Sequence, residues 1–397
     1  MKSNTKEITA DRSEKAGRLL WLTDTYGDHN GVSTVLKAIL LEIRRRNLPV
    51  DLLVCSNTMQ SEDHLIVVRP VTEFTLPLYR QQPFRIPNYL SVQRIFRRGN
   101  YNKIICSTEG PMGLAALWLK KVFPVEVFFY LHTDWLIFAK EVVSLEQTGL
   151  NRLQRILRIY YKRFGNVFVL NTDHQQWLTS KAMGFDPSRV FLTAHWADRI
   201  FSEPSEKRSQ EILFDRLQFN KLKPVILYTG RISKEKGVLE LPRITRMIRS
   251  VIPEIQMVIA GTGPAEEELK KAMPDALFLG WVGQKFLPAL YQTADLLLLP
   301  SRFDTFSCVV LEALSCGLPV IAYNAKGPKD ILENSVCGFL VDSGEEMAGK
   351  AIGYFLDPES WVKMKQAALQ RAEAYQADKI MDRLLQDVGL MTEACTV

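Results

Sequence analysis

Two carboxylates stand eight residues apart in the stretch 303–321, which reads FDTFSCVVLEALSCGLPVI. Asp304 comes just before 307–316, a run of apolar and small residues that predicts a helix, and Glu312 is the one charged residue within that run. An ionised carboxylate in an apolar helix is unfavourable unless hydrogen-bond donors surround it. Glu312 can accept two hydrogen bonds, for which sugar hydroxyls are natural donors. Alternatively, it reaches the flank of the helix and pairs with an Arg or Lys.

The ends of this predicted helix carry their own signals. Thr305 or Ser307 is placed to cap its start, Gly317 ends it, and Pro319 prevents its continuation. Because the helix follows a predicted strand, its free N-terminal amides should point to the carboxyl edge of a sheet. Such amides, together with the helix dipole, form an anion-binding site.

Two cations stand at a second strand-to-helix junction, in the stretch GRISKEKG (230–237). Arg231 and Lys236 are five residues apart and come directly after a predicted strand. This arrangement suits a diphosphate, although an ordinary solvated basic loop would have the same sequence pattern.

Three further turns carry candidate residues. Gly261 and Gly263 form a G-x-G between a strand and a helix, but position 266 is Glu, so the dinucleotide fingerprint is incomplete and a tight turn lining a cleft is the better interpretation. Gly31 follows Asn30 and allows the backbone to approach a ligand closely. His132 stands just past a strand end, where it either faces a ligand or has a structural role.

The elements that must position these residues form two arrays of alternating strands and helices, separated by a polar stretch near 195–223. Two such arrays predict an α/β protein with two doubly wound, Rossmann-like domains that face each other across a cleft. The strands are short apolar runs without strict alternation, as expected for parallel strands covered on both faces. They are predicted at 18–23, 50–55, 103–107, 125–131, 167–171, 224–230, 255–261, 276–280, 295–301 and 318–323.

Composition limits the class of protein. The 397 residues include 47% hydrophobic residues and carry a formal net charge of +6, enough apolar material for two cores and only a modest basic excess. The six cysteines form no C-x-x-C pair, which favours reduced core thiols in a cytoplasmic protein. There is no D-x-D, so we expect no divalent metal site and no cofactor. No nucleic-acid-binding module is recognisable.

The motifs, in this order, resemble family 4 glycosyltransferases, which are retaining enzymes of the GT-B architecture. The most specific part is PSRFDTFSCVVLEALSCGLPVIAYNAKGPKDIL (300–332), which is similar to the family's acid-x7-Glu element, and GRISKEKG is similar to its Arg and Lys pair. The stretches TDTYGDHNGV, STEGPMGLAAL, LHTDW and GPKDIL look like the branch that glycosylates membrane lipids. The resemblance implies a flexible tail (1–16), an acceptor-binding domain (17–200), a nucleotide-sugar-binding domain (201–375), and a C-terminal helix and tail that packs back on the first domain (376–397).

The resemblance also implies a role for each candidate residue. Arg231 and Lys236 would hold the donor diphosphate, Glu312 the ribose hydroxyls, and Asp304 the donor sugar, which His132 would also contact. The remaining donor-binding positions would be glycines and amides that contact the sugar or the diphosphate: Gly31, Gly230, Gly261, Gly263, Phe306, Ser307 and Cys308. The donor would be a UDP- or GDP-sugar, without metal.

This sequence departs from the family pattern at three places. The first acid is usually Glu where Asp304 stands, and Gly is usual where Ser307 stands. Before the polar join, His195-Trp196-Ala197-Asp198 replaces the frequent Asn-Gly-Val-Asp. These departures bear on the identity of the donor sugar more than on the reaction.

The acceptor is left open as a lipid or a glycan. Five basic residues lie between Arg152 and Arg163, with Leu153, Ile156, Leu157, Tyr160 and Phe164 assigned to one apolar face. Six more basic residues and no acid occur from Arg80 to Lys103. Such segments either contact an anionic membrane or are core-facing helices with a solvated basic side. Alternative functions are a GT-B nucleotide-sugar epimerase and a catalytically silent sugar-nucleotide-binding module.

Overall fold

The computed structural model describes residues 17–28, 31–76, 79–141, 143–205, 223–332 and 336–391. The predicted N-terminal tail, 1–16, lies outside these residues. Contacts divide the chain into two compact units: unit 1 comprises residues 1–127 and 388–397, and unit 2 comprises residues 128–387. The domain boundaries predicted from the sequence pattern stay a prediction.

Within the described ranges, the first sheet contains seven strands in the order β3-β2-β1-β6-β7-β8-β9. The strands β1 and β2 are buried along their whole length, as expected for parallel strands that helices cover on both faces. All five strands predicted in this half are confirmed, whereas the edge strands β3 and β9 were not predicted. The strands are β1 (Leu19–Thr23), β2 (Val50–Cys55), β3 (Leu65–Val68), β6 (Lys103–Cys106), β7 (Glu126–Tyr130), β8 (Gly165–Val169) and β9 (Val190–Leu192).

A separate antiparallel hairpin, which the sequence interpretation did not include, is formed by β4 (Pro70–Leu76) and β5 (Tyr79–Pro87). Helix α1 ends in three arginines, as predicted, which is a favourable arrangement at a helix C-terminus. The helices are α1 (Gly31–Arg46), α2 (Tyr89–Arg98), α3 (Pro111–Val122), α4 (Trp135–Glu141), α5 (Gln147–Phe164) and α6 (Thr172–Thr179).

The second sheet lies entirely in unit 2, and the described part of it has the strand order β12-β11-β10-β13-β14-β15. The neighbouring strands pair in parallel, and β10, β13 and β14 are buried along their whole length. Two doubly wound parallel sheets therefore confirm the predicted α/β fold class. The strands are β10 (Val225–Thr229), β11 (Gln256–Ala260), β12 (Leu277–Gly280), β13 (Leu296–Leu299), β14 (Val320–Tyr323) and β15 (Gly338–Val341), of which β15 was not predicted.

Helices α7 and α12 contribute to a core cluster over the second sheet that includes Ile244, Ile248, Ala351 and Tyr354. No helix in the described ranges is at once long enough and apolar enough to cross a membrane. The helices of this half are α7 (Leu241–Arg249), α8 (Glu266–Ala272), α9 (Leu287–Thr293), α10 (Cys308–Ser315), α11 (Lys326–Leu332), α12 (Gly344–Leu356), α13 (Pro358–Ala372) and α14 (Ala377–Asp387).

The cysteines within the described ranges are free thiols, and three of them are core residues as predicted. Cys55, Cys106 and Cys337 are buried, where a small apolar side chain fits. Cys308 and Cys316 are partly buried at the two ends of α10. Cys395 lies outside the described residues.

Candidate functional site

The loops after β10 and β11 cross in direct contact at the carboxyl ends of these two neighbouring strands. The amide of Gly230 donates to Ala260 O, and the amide of Ile232 donates to Thr262 O, both at 3.0 Å. A Cβ atom on Gly261 would lie 1.8 Å from Gly230 O, and one on Gly263 would lie 2.2 Å from Ile232 O. Both glycines are therefore required by the crossing of the loops, and their predicted role in donor binding stays a prediction.

The two predicted cations differ in their surroundings. Arg231 is exposed and joins no ion pair within the described ranges. Lys236 ends a short 3-10 turn, and its ammonium donates to Oδ1 of Asp304. The next residue, Gly237, is in the left-handed region with φ 69°, and a Cβ atom there would lie 1.9 Å from Pro300 O. Gly237 thus allows the turn that contains Lys236 to pack against the end of β13, a role that the sequence interpretation did not assign.

Asp304 is held between two elements of unit 2. Its carboxylate accepts the Lys236 hydrogen bond, and its carbonyl accepts from the amide of Gly327 at 2.9 Å. The structure therefore brings together Lys236 and Asp304, which the sequence placed in separate motifs.

Helix α10 begins at Cys308, close to the predicted start. Ser307 occupies the N-cap position with φ 67° and ψ 69°, and its side chain makes no capping hydrogen bond. Of the two predicted capping residues, Thr305 and Ser307, the choice of Ser307 is therefore wrong, because a left-handed backbone does not present the hydroxyl to the first amides as an extended N-cap does. Glycine would adopt this left-handed conformation without a steric penalty. Gly317, with φ 70°, follows the helix end as predicted.

Glu312 lies in α10 with a tyrosine as its hydrogen-bond partner. The hydroxyl of Tyr291 donates to Oε2 of Glu312 at 2.7 Å. Among the ion pairs of the described residues none includes Glu312, so the alternative of a paired Arg or Lys is not what the structure has. Burial raises the pKa of Glu312 from 4.5 to about 7, although the Tyr291 hydrogen bond acts in the opposite direction.

His132 follows β7 in a stack of aromatic rings. Its ring lies 4.6 Å from that of Tyr130 and 5.4 Å from that of His195, centroid to centroid. The edge of His195 meets Phe306 at 4.9 Å, so the stack reaches the loop before α10. Burial lowers the pKa of His132 to about 3, which keeps the imidazole neutral at physiological pH. Its Nε2 is buried without a partner within the described structure.

A network around Asp134 was not predicted, although the stretch LHTDW contains it. Lys326 of α11 donates to Oδ2 of Asp134 at 2.6 Å, and Nε2 of His174 lies 2.9 Å from the same oxygen. Burial alone would raise the pKa of Asp134, but the contacts with His174 and Lys326 hold it well below its usual range. Asp134 and Lys326 line a pocket in unit 2 together with Asp304, Thr305 and Arg302.

Two residues of unit 1 complete the candidates. Gly31 is the first residue of α1, and no atom lies within 4 Å of the position that a Cβ atom would take, so packing within the described residues does not require glycine. Asp24, which was not predicted, follows β1 and accepts from Thr108 at 2.9 Å and from the amide of Met112 in α3. Burial raises its pKa to about 7.

Two family models match the chain. The description of the first is glycosyl transferases group 1, over residues 209–371, and that of the second is Glycosyltransferase Family 4, over residues 29–198. A GDP-mannose-dependent alpha-mannosyltransferase from Corynebacterium glutamicum is 34% identical over 53% of this chain and 52% of its own length. Sulfoquinovosyl transferase SQD2 from Arabidopsis thaliana is 26% identical over 76% of this chain and 59% of its own length. The chain thus spans little more than half the length of these curated relatives.

Solved structures share the architecture over nearly the whole chain. Sucrose-phosphate synthase from Thermosynechococcus elongatus superposes with a TM-score of 0.74 at 17% identity, covering 93% of this chain and 98% of that one. Anabaena Alr3699/HepE, solved in complex with UDP, gives a TM-score of 0.73 at 18% identity, covering 94% and 100%. The similarity confirms the predicted GT-B fold.

Proposed function

This chain belongs to the group 1 glycosyl transferases of family 4, and on that premise we propose that it moves a sugar from a nucleotide-diphosphate sugar to a hydroxyl of an acceptor, with retention of configuration. One observation carries the proposal. Arg231, Lys236, the amides that open α10 and the partly buried Glu312 are all presented by loops and helices at the carboxyl ends of the second sheet in unit 2. This is the edge at which open α/β sheets bind ligands.

The proposed catalytic contribution is stabilisation of the leaving group. As the glycosidic bond breaks, negative charge grows on the diphosphate, and preorganised cations and amides at that position lower the barrier. Lys236 has three N–H donors, so its contact with Asp304 leaves two for phosphate oxygens. Arg231, which is exposed and unpaired within the described ranges, supplies the second cation.

The two acids of the acid-x7-Glu element have separate roles in this proposal. Retaining glycosidases need two carboxyl groups on opposite sides of the bond that is cleaved, one of them a nucleophile. In this proposal Asp304, which contacts Lys236, binds the donor sugar. Glu312, which accepts from Tyr291, binds the ribose. Neither acid is thereby a nucleophile, which favours attack on the same face as the departing phosphate. His132 is neutral and donates or accepts at the donor sugar without adding charge.

The donor nucleotide is proposed to be a UDP- or GDP-sugar without a metal. Anabaena Alr3699/HepE was solved with UDP and with UDP-glucose, and the Corynebacterium relative is named as GDP-mannose-dependent. A relative that transfers sulfoquinovose and another that transfers kanosamine indicate how widely donor sugars vary among similar chains.

The acceptor is proposed to be a membrane lipid, which the exposed side of α5 supports. Ile156 and Ile159 are 63% and 60% exposed and share one helical face with Arg152 and Arg155, whereas Leu157, Tyr161 and Phe164 point into the core. The prediction that Ile156 shares one apolar face of this helix with Leu157 and Phe164 is therefore wrong. Exposed apolar side chains next to arginines are complementary to an anionic bilayer surface.

Vesicle co-sedimentation tests the membrane contact. The protein should pellet with phosphatidylglycerol vesicles at low salt, less so at high salt, and little with phosphatidylcholine vesicles. Changing Ile156 and Ile159 together to Asp should abolish pelleting, whereas Val362→Asp, at an exposed position of α13, should not. Absence of pelleting at low salt with the anionic vesicles would remove this part of the proposal.

A donor screen tests the proposed reaction against its alternatives. UDP-, GDP- and ADP-sugars are each incubated with the protein, with and without glycerolipid or glycan acceptors, and the products are identified by mass spectrometry. A transferase consumes one donor only when an acceptor is present. An epimerase interconverts the nucleotide sugar alone, and a silent binding module leaves every donor unchanged.

A further inference from the structure

Glu312 is part of a hydrogen-bonded chain that starts inside the second sheet. Its Oε2 lies 2.7 Å from the hydroxyl of Tyr291, and that hydroxyl lies 2.7 Å from Oγ1 of Thr229. Thr229 is the last residue of β10, Tyr291 belongs to α9, and Glu312 belongs to α10. The chain therefore connects three elements that converge below the carboxyl edge of the sheet.

The direction of each hydrogen bond follows from the chemistry of the groups. An ionised carboxylate only accepts, so the tyrosine hydroxyl donates to Glu312. The tyrosine oxygen can then accept from Thr229, whose hydroxyl donates. With both bonds satisfied in this direction, the orientation of the Glu312 carboxylate is fixed by groups that do not themselves reach solvent.

Tyr291, the middle residue of this hydrogen-bonded chain, is held rigidly. Tyr291 is 1% exposed, and its ring meets Phe201 edge to face at a centroid distance of 5.8 Å. Thr229 is also buried, and its backbone is in parallel register with Ala260 of β11. Among the described residues, no donor reaches Oε1 of Glu312, so one carboxylate oxygen is fixed while the other is left for a partner from outside.

We propose that Tyr291 is a positioning residue that turns Oε1 of Glu312 toward the ribose hydroxyls of the donor nucleotide. This inference rests on the proposed function, because the ribose contact of Glu312 belongs to that proposal. Tyr291 does not touch the nucleotide and acts only through Glu312. Its hydroxyl also stabilises the ionised carboxylate, the form that accepts hydrogen bonds from two sugar hydroxyls.

Because the Tyr291 hydroxyl stabilises the ionised form of Glu312, nucleotide binding should depend on pH. Burial raises the pKa of Glu312 to about 7, and the Tyr291 hydrogen bond partly offsets this effect. The other titratable groups that influence this carboxylate or are influenced by it are Asp198, Cys308 and Cys316. Asp198 raises the pKa of Glu312, and burial raises the pKa of both thiols to about 12, so neither thiol ionises near neutral pH. Removing the Tyr291 hydroxyl should therefore move the loss of binding at low pH to a higher pH.

The test is calorimetric titration of the full chain with UDP and GDP, and with their 2′,3′-dideoxy counterparts, between pH 5.5 and 8.5. The wild type should bind its preferred nucleotide more tightly than the dideoxy form. Tyr291→Phe should weaken ribonucleotide binding by about 5- to 10-fold, the usual effect of one lost hydrogen bond, and leave the dideoxy form unchanged. Thr229→Val should act in the same direction but less strongly.

The controls separate this inference from the proposed function. Tyr354→Phe removes another buried tyrosine hydroxyl of unit 2, one that donates to Asp295 O at 3.0 Å, and should leave binding unchanged. If Glu312→Ala binds ribonucleotide and dideoxynucleotide as the wild type does, the ribose role in the proposed function fails. If Glu312→Ala loses the discrimination but Tyr291→Phe and Thr229→Val keep it with an unshifted pH dependence, only the positioning role of Tyr291 is overturned.

Discussion

Replacing Glu312 by Gln should stabilise the folded protein at alkaline pH, although it should impair nucleotide binding. The carboxyl group is partly buried in an apolar helix, and burial raises its pKa from 4.5 to about 7. The folded state therefore holds the proton more tightly than the unfolded chain. Glu312 lowers stability as the pH rises from about 4.5 through about 7, and the change is complete above that range.

The magnitude follows from the same two pKa values. Their difference corresponds to roughly 3 kcal/mol at pH values well above 7. Gln keeps the shape of the side chain and can still accept from Tyr291, but it never ionises. For a chain of this size, the gain corresponds to a rise of about 3–5 °C in the unfolding midpoint.

Differential scanning calorimetry at pH 5 and pH 8 measures this effect. The variant should unfold only slightly above the wild type at pH 5, where the folded state still holds the proton and the loss of stability has only begun, and clearly above it at pH 8. Equal midpoints at both values, or a lower midpoint for Glu312→Gln at pH 8, would refute the argument that burial without a cationic partner makes this carboxylate unfavourable.

Two further predictions concern backbone geometry. Ser307→Gly should stabilise the protein by roughly 0.5–1 kcal/mol, because the left-handed conformation is unfavourable for serine. Urea denaturation would detect the gain as a higher midpoint. Ser307→Val should lower the midpoint. Gly261→Ala should destabilise by about 3 kcal/mol or more, because the new Cβ would lie 1.8 Å from Gly230 O. Gly353→Ala, inside α12 with no atom within 4 Å, should be neutral or mildly stabilising, and equal midpoints for the two alanine variants would contradict the crossing of the loops.

The sequence was sufficient for the parts of the fold that depend on local chemistry. Apolar runs between turn residues predicted the central strands, and the alternation with helices predicted two doubly wound sheets. The three strands that were not predicted, β3, β9 and β15, lie at the edges of the sheets and are only partly buried. The hairpin of β4 and β5 belongs to neither parallel sheet and was not expected between βα units.

The sequence supplied the candidate site residues, whose roles stay predictions, but it did not supply the contacts between them. The odd carboxylate in α10 identified Glu312, yet nothing in the local sequence pointed to Tyr291, which is 21 residues away and one helix earlier. In the same way, Asp134 was visible in LHTDW, but its partners Lys326 and His174 come from helices distant in sequence. Such contacts are set by how the chain packs, which spacing along the sequence does not encode.

The most direct test of the central claim is the rate of sugar transfer by Lys236→Ala, measured with the donor and acceptor that the screen identifies. If Lys236 stabilises the departing diphosphate, kcat should fall by about 100-fold or more while the protein stays folded. The matched control is Lys234→Ala in the same turn, whose side chain is 74% exposed and pairs with Glu268, and it should keep the wild-type rate. A folded Lys236→Ala variant that turns over as fast as the Lys234→Ala control would contradict the account.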